Sequence, residues 1–111
     1  MICRLWTTGL VKDKAIEYDE FSSSKSLAMF KKLDGCLGVL FIRSDVVGYV
    51  YSFWRDQDAI EGLKSSELYQ DTVNKIIDAG FLNEFQQVEH VDITGGILTE
   101  ESIQPFIQLK S

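Results

Sequence analysis

The run of residues 48–63, GYVYSFWRDQDAIEGL, restricts the fold more than any other stretch of the chain. Its first half is rich in Val, Tyr, Phe and Trp, which suit a pleated, half-buried surface. Its second half opens with Asp56, whose carboxylate can accept a bond from a free amide of a first helical turn. Asp58 and Glu61 add negative charge near the positive end of that helix dipole. A strand therefore stops at Trp54, and a helix turns back almost at once, holding a large aromatic at the junction.

The rest of the chain is laid out around that junction. Residues 2–10 form a first strand, with Ile2, Arg4, Trp6 and Thr8 on one face and Cys3, Leu5 and Thr7 on the other. Residues 14–22 are helical in pattern, with Ala15 and Tyr18 spaced for one face. The triplet Ser22-Ser23-Ser24 predicts a break or kink, because serines compete for backbone hydrogen bonds. A second helical piece follows over residues 25–33. Asp34-Gly35 signals a turn, and residues 36–43 form a second strand with Leu37, Val39 and Phe41 on one face. A short hairpin at Ser44-Asp45 leads into the third strand, where Tyr49, Tyr51 and Phe53 oppose Val50, Ser52 and Trp54. After the short helix at 56–64, Ser65 or Ser66 caps a longer one at 67–79, with Tyr69, Val73, Ile76 and Ile77 on one stripe and Gly80 as its stop. Residues 84–93 give a fourth strand in which Gln86, Val88, His90 and Asp92 share a face. Thr94-Gly95-Gly96 ends the domain. A tail follows in which Thr99 starts a helical turn and Phe106, Ile107 and Leu109 are suited to docking.

The order β-α-β-β-α-β predicts an α+β, ferredoxin-like fold: a four-stranded antiparallel sheet with its helices on one face. One domain at 1–93 and a C-terminal extension at 94–111 are expected, the extension docking on the domain or on a second copy. The uncovered sheet face carries large apolar groups on every strand, which predicts a homodimer packed sheet to sheet. A net charge of −6 with dispersed acids disfavours nucleic acid. No apolar run approaches the roughly 20 residues needed to span a bilayer, and the first ten residues lack the pattern of a secretory signal. A soluble, cytoplasmic protein with no membrane partner is expected. Two separated cysteines and one histidine predict reduced thiols and no metal site.

Few residues carry chemistry. Trp54 suits either a core filler or one wall of an aromatic pocket that excludes water. His90 is the one side chain whose ordinary pKa lies near neutrality, so it is the natural acid/base if it is not a structural histidine. Arg4 shares a face with Trp6 and can pair with an anionic substrate or a neighbouring carboxylate. Tyr51 can bind a phenol through its hydroxyl or pack in the dimer interface, and Tyr18 sits on the core side of its helix by spacing.

The order of elements, the GCLG turn at residues 35–38, the YVYSFWRDQDAI junction and the GFLNEFQQVEHVDI ending together resemble the antibiotic biosynthesis monooxygenase family of dimeric α+β barrels. The resemblance covers about residues 1–93, and Trp54 matches the family tryptophan. It implies a cofactor-independent monooxygenase acting on an aromatic or quinol-type small molecule. In such an enzyme the residue chemistry above makes Trp54 and His90 the expected catalytic residues, and Arg4, Trp6, Tyr18 and Tyr51 the expected substrate-binding ones. The polyketide-acting members place Asn four residues before the Trp and Tyr six after it, where this chain has Val50 and Ile60. Haem-degrading members use a first-strand Asn, absent before Asn74, and a helical His where Thr72 aligns, which argues against haem. Two alternatives stand beside the enzyme: a non-catalytic dimeric module that binds a small ligand or a protein, and an isomerase or cyclase on the same barrel.

Overall fold

The computed structural model describes residues 1–103, 107 and 108. Strand β1 (Ile2–Leu10) is followed by α1 (Ala15–Phe21), a π-helical turn (Ser22–Ser26) and α2 (Leu27–Lys32). Strands β2 (Cys36–Ser44) and β3 (Val47–Trp54) make the hairpin, with Asp45 taking the left-handed position of the turn at φ 51°. Helices α3 (Gln57–Glu61) and α4 (Glu67–Asp78) lead to β4 (Leu82–Asp92). The four strands form one antiparallel sheet in the order β2-β3-β1-β4. This is the expected ferredoxin-like α+β fold.

Both expected helix starts carry their caps. The Asp56 carboxylate accepts from the Ala59 amide at 2.9 Å, and the Ser66 hydroxyl accepts from the Tyr69 amide at 3.2 Å. Each bond satisfies an amide that has no partner within its own helix. Gly35 is required where it stands. Its φ is +78°, and a Cβ there would lie 2.5 Å from the Ala59 Cβ, so a side chain would meet both strain and collision. Its carbonyl accepts from the Arg55 amide at 2.9 Å, which ties the turn to the end of β3.

Register aligns the helix-facing side chains in rows across the sheet. Cys36, Trp54, Ile2 and Asp92 make one row; Val39, Ser52, Arg4 and His90 the next; Phe41, Val50, Trp6 and Val88 a third. Met29, Phe30, Ile60 and Leu63 close over this face around Trp54, which has 0% exposure. A second cluster gathers Leu10, Ala15, Tyr18 and Phe81, with the Phe81 ring edge-on to Tyr18 at 5.9 Å. Gly48 admits the Tyr18 ring there, since a Cβ would stand 3.3 Å from Tyr18 Cε2.

Three local expectations are corrected in detail. The serine triplet does divide the helix into two α-helical pieces, as expected, but by a π turn and not by a broken backbone. Ser23 and Ser24 donate back to the Asp19 and Glu20 carbonyls at 2.9 and 2.7 Å, and the backbone continues through the π turn. Leu37 does not share a face with Val39 and Phe41. A register shift between Cys36 and Gly38 puts Cys36 opposite Trp54 instead, and Leu37 is exposed. On α4, Thr72 is buried within the stripe beside Tyr69, Val73 and Ile76, and Ile77 stands at the exposed margin of that same stripe. Thr99 precedes a 3-10 turn (Glu100–Ile103), as expected in kind. Phe106 and Leu109, expected to dock, lie outside the described residues.

Candidate functional site

The helices do not seal the sheet completely. An inner cleft of about 230 Å³ opens between the sheet and helices α2 and α4, lined on the sheet side by Arg4, Trp6, Val50 and Val88. Its volume lies just below the common range of roughly 300–1,000 Å³ for ligand sites, which suits a small guest. Alternation on β1 sends Arg4 and Trp6 to this side together, one row apart.

Arg4 is held by Tyr69. Its Nη2 donates to the Tyr69 hydroxyl at 3.3 Å, and its Cζ lies 5.9 Å from the ring centroid. Tyr69 is in turn set by the Ser66 cap on its own amide. Arg4 is the one charged side chain among the described lining residues of this cleft. Among the described residues no carboxylate makes an ion pair with it. A guanidinium without a counter-charge beside apolar walls is disposed to take an anion.

Three of the six sequence-derived site residues, Arg4, Trp6 and Tyr18, meet at this cleft. Burial raises the Tyr18 phenol to about 12, against a smaller lowering by the Ser22 hydroxyl, so it stays protonated at neutral pH. His90 lies directly across from Arg4 on edge strand β4, exposed, on the same sheet face. Glu61 nearby is lowered by the Gln57 hydrogen bond first, then by Lys64, with a weaker contribution from His90.

The other two stand elsewhere. Trp54 is sealed in the core, its Nε1 donating to Ser52 Oγ at 2.8 Å, and it is not among the described residues that line the cleft. Tyr51 belongs to the opposite sheet face, where its ring meets Tyr49 at 6.1 Å. Sequence reading placed Tyr69 on the packed stripe of its helix but could not join it to Arg4, since 65 residues separate them. Among the described residues, no group of three or more His, Cys, Asp or Glu is placed to hold a metal, and no helix is long and apolar enough to cross a membrane.

A four-stranded antiparallel sheet with helices on one face and a cleft beneath them defines the class, an α+β ferredoxin-like fold. Solved structures share it. A "putative antibiotic biosynthesis monooxygenase" from Bordetella bronchiseptica matches with a TM-score of 0.73 at 18% identity, over 84% of this chain and 96% of that one. A monooxygenase from Streptomyces coelicolor, solved with the ligand nanaomycin D, matches with a TM-score of 0.70 at 12% identity, over 89% and 92%. A Nitrosomonas europaea protein of unknown function matches with a TM-score of 0.71 at 11% identity, over 88% and 93%. No protein-family model matches the chain, and no curated protein matches it in sequence. The likeness is one of fold.

Proposed function

We propose that the chain binds a small electron-rich phenol or quinol in the inner cleft and oxygenates it without a cofactor, as a homodimer. The observation that carries this reading is the uncompensated Arg4 guanidinium, seated on Tyr69 and bordered by Trp6. It favours a planar guest that is, or becomes, an anion. Trp6 offers an aromatic face for stacking. His90, across from Arg4, takes the phenolic proton, and Arg4 stabilises the phenolate. The phenolate then passes electrons to dioxygen. In balance, one phenol and one O₂ give one quinone and one water. The substrate supplies all the electrons, so no outside reductant enters. The Streptomyces coelicolor neighbour with its bound ligand nanaomycin D supports ligand binding on this fold.

The sheet face opposite the helices supports the dimer. It carries Leu5, Leu40, Ile42, Tyr49, Tyr51 and Phe53 without helical cover, and Ile42 is 44% exposed. A second copy of the same face buries this area by two-fold symmetry.

A non-catalytic binding module is the second reading. The exposed edge position of His90 and the sealed position of Trp54 favour it. Tryptophan fluorescence with hydroquinones, naphthols and anthrones separates the readings, followed by oxygen uptake on any hit. Saturable quenching that is lost in Trp6→Phe and kept in Trp54→Phe supports the cleft. Oxygen uptake that falls with Arg4→Met and His90→Gln supports the enzyme. Binding without oxygen uptake moves the assignment to the module, and absence of binding removes both.

A further inference from the structure

Most polar groups that line the inner cleft are already engaged. Arg4 donates to the Tyr69 hydroxyl. The Thr72 hydroxyl donates to the Leu68 carbonyl at 2.9 Å. The Tyr18 phenol shares a hydrogen bond with the Ser22 hydroxyl. Ser26 differs from all of these. It lines the cleft and is 4% exposed, and its hydroxyl makes no hydrogen bond among the described residues. The Ser26 oxygen is also open to approach. It is not one of the described side-chain atoms sealed from solvent with their bonding unmet, and the space that Ser26 borders is the inner cleft.

The π turn accounts for this state. Ser23 and Ser24 lie outside and spend their hydroxyls on the Asp19 and Glu20 carbonyls. In an α-helix a serine finds the same relief on the carbonyl one turn back. For Ser26 that carbonyl belongs to Ser22, and here it accepts from the Leu27 amide, five residues on. The wider turn carries Ser26 to the interior without the bond that its exposed neighbours make. Turns of this kind recur at functional sites. A buried hydroxyl without an internal partner favours a guest that supplies one.

We propose that Ser26 is a specificity-determining residue of the inner cleft, where it binds a second oxygen of the guest. An aromatic diol or hydroxy-ketone is then taken in preference to the simple phenol. The inference rests on the reading of the cleft as a phenol site and adds a second point of attachment to Arg4. Arg4 comes from the sheet and Ser26 from the helical layer, so the two hold the guest from different walls. Two anchors fix the orientation of a planar ring that a single anchor lets pivot. A serine hydroxyl both donates and accepts, so the second oxygen can be a carbonyl or a hydroxyl.

The test compares β-naphthol with the naphthalenediols that carry a second hydroxyl on its far ring. Binding is read by NMR titration of the ¹⁵N-labelled full chain in oxygen-free buffer, where no turnover intrudes. β-Naphthol and the diols are expected to shift the amides of Thr72 and Val88 saturably. At least one diol is expected to bind more tightly than β-naphthol and to shift the Ser26 amide as well. Ser26→Ala is expected to weaken that diol about 3- to 10-fold, the range of one neutral hydrogen bond, and to leave β-naphthol unchanged. Ser24→Ala removes a hydroxyl already bonded to the Glu20 carbonyl and leaves both affinities unchanged. The Ser26 proposal is overturned, with the phenol reading intact, if no diol outbinds β-naphthol in the wild-type chain. The same holds if Ser26→Ala weakens β-naphthol as much as the diol, or if Ser24→Ala matches Ser26→Ala. If β-naphthol itself leaves the cleft amides unmoved, the phenol reading falls and the role of Ser26 falls with it.

Discussion

The bond between Trp54 and Ser52 offers the sharpest test of how the junction is held. Trp54 is 0% exposed and Ser52 is 1% exposed, and the indole N–H donates to the serine oxygen at 2.8 Å. Ser52→Ala deletes the acceptor and leaves the N–H buried where water does not reach. Such an orphaned donor costs about 1–3 kcal/mol, more than the net worth of the bond itself. For 111 residues the entropy of unfolding makes each kcal/mol worth about 4 °C in melting temperature. Ser52→Ala is therefore expected to melt about 4–12 °C lower by far-UV circular dichroism, with a matching drop in urea midpoint and an unchanged slope. Trp54→Phe costs more, because it also leaves a cavity. The double variant is decisive. With no donor left to orphan, Ser52→Ala added to Trp54→Phe costs about 1 kcal/mol less than it does alone. Additive effects, or a Ser52→Ala loss below about 0.5 kcal/mol, refute the argument, since the N–H must then have found another partner.

Four further outcomes follow from the same structure. Gly35→Ala is expected to destabilise by at least about 1 kcal/mol, from positive φ and the approach of Ala59, whereas Gly62→Ala, at φ −60° with open space around it, stabilises by about 0.4–1 kcal/mol in urea melts. The Tyr18 phenol is raised by burial to about 12, so the unfolded chain releases its proton first; stability is fully present below about pH 10 and declines as pH rises through 12, and Tyr18→Phe flattens that decline in alkaline melts. Phe53→Glu on the uncovered sheet face is expected to convert a dimer to a monomer in light scattering, and a wild-type monomer at micromolar concentration removes the proposed dimer. Tyr69→Phe removes the hydroxyl that receives Arg4 and is expected to weaken an anionic naphtholate by several-fold while sparing a neutral naphthalene, read by fluorescence quenching.

Much of the fold was legible because its signals are local. Alternation placed Arg4 with Trp6 and separated Tyr51 from Trp54, and the β-sheet register bears out both groupings. Asp56 and Ser66 announced their helices by chemistry that operates within one turn. The errors arose where local rules compete. Serine hydroxyls can either break a helix or bond back to its carbonyls, and only the packing of Ser22 and Ser26 into the interior decided for a π turn. The shift at Leu37 was invisible because a bulge breaks the two-residue period without any residue that requires it.

By itself, then, the chain determined its element order, the faces of β1 and β3, and the stop of the third strand at Trp54. Those depend on side-chain period, capping and turn chemistry, which act over a few residues. Only the tertiary structure decided that Arg4 meets Tyr69, that His90 stands across from Arg4, that Trp54 is sealed against Ser52, and that Ser26 lines the inner cleft. Each joins groups through strand register or helix docking, and those are settled by burying the apolar faces as a whole, which no short stretch of sequence encodes.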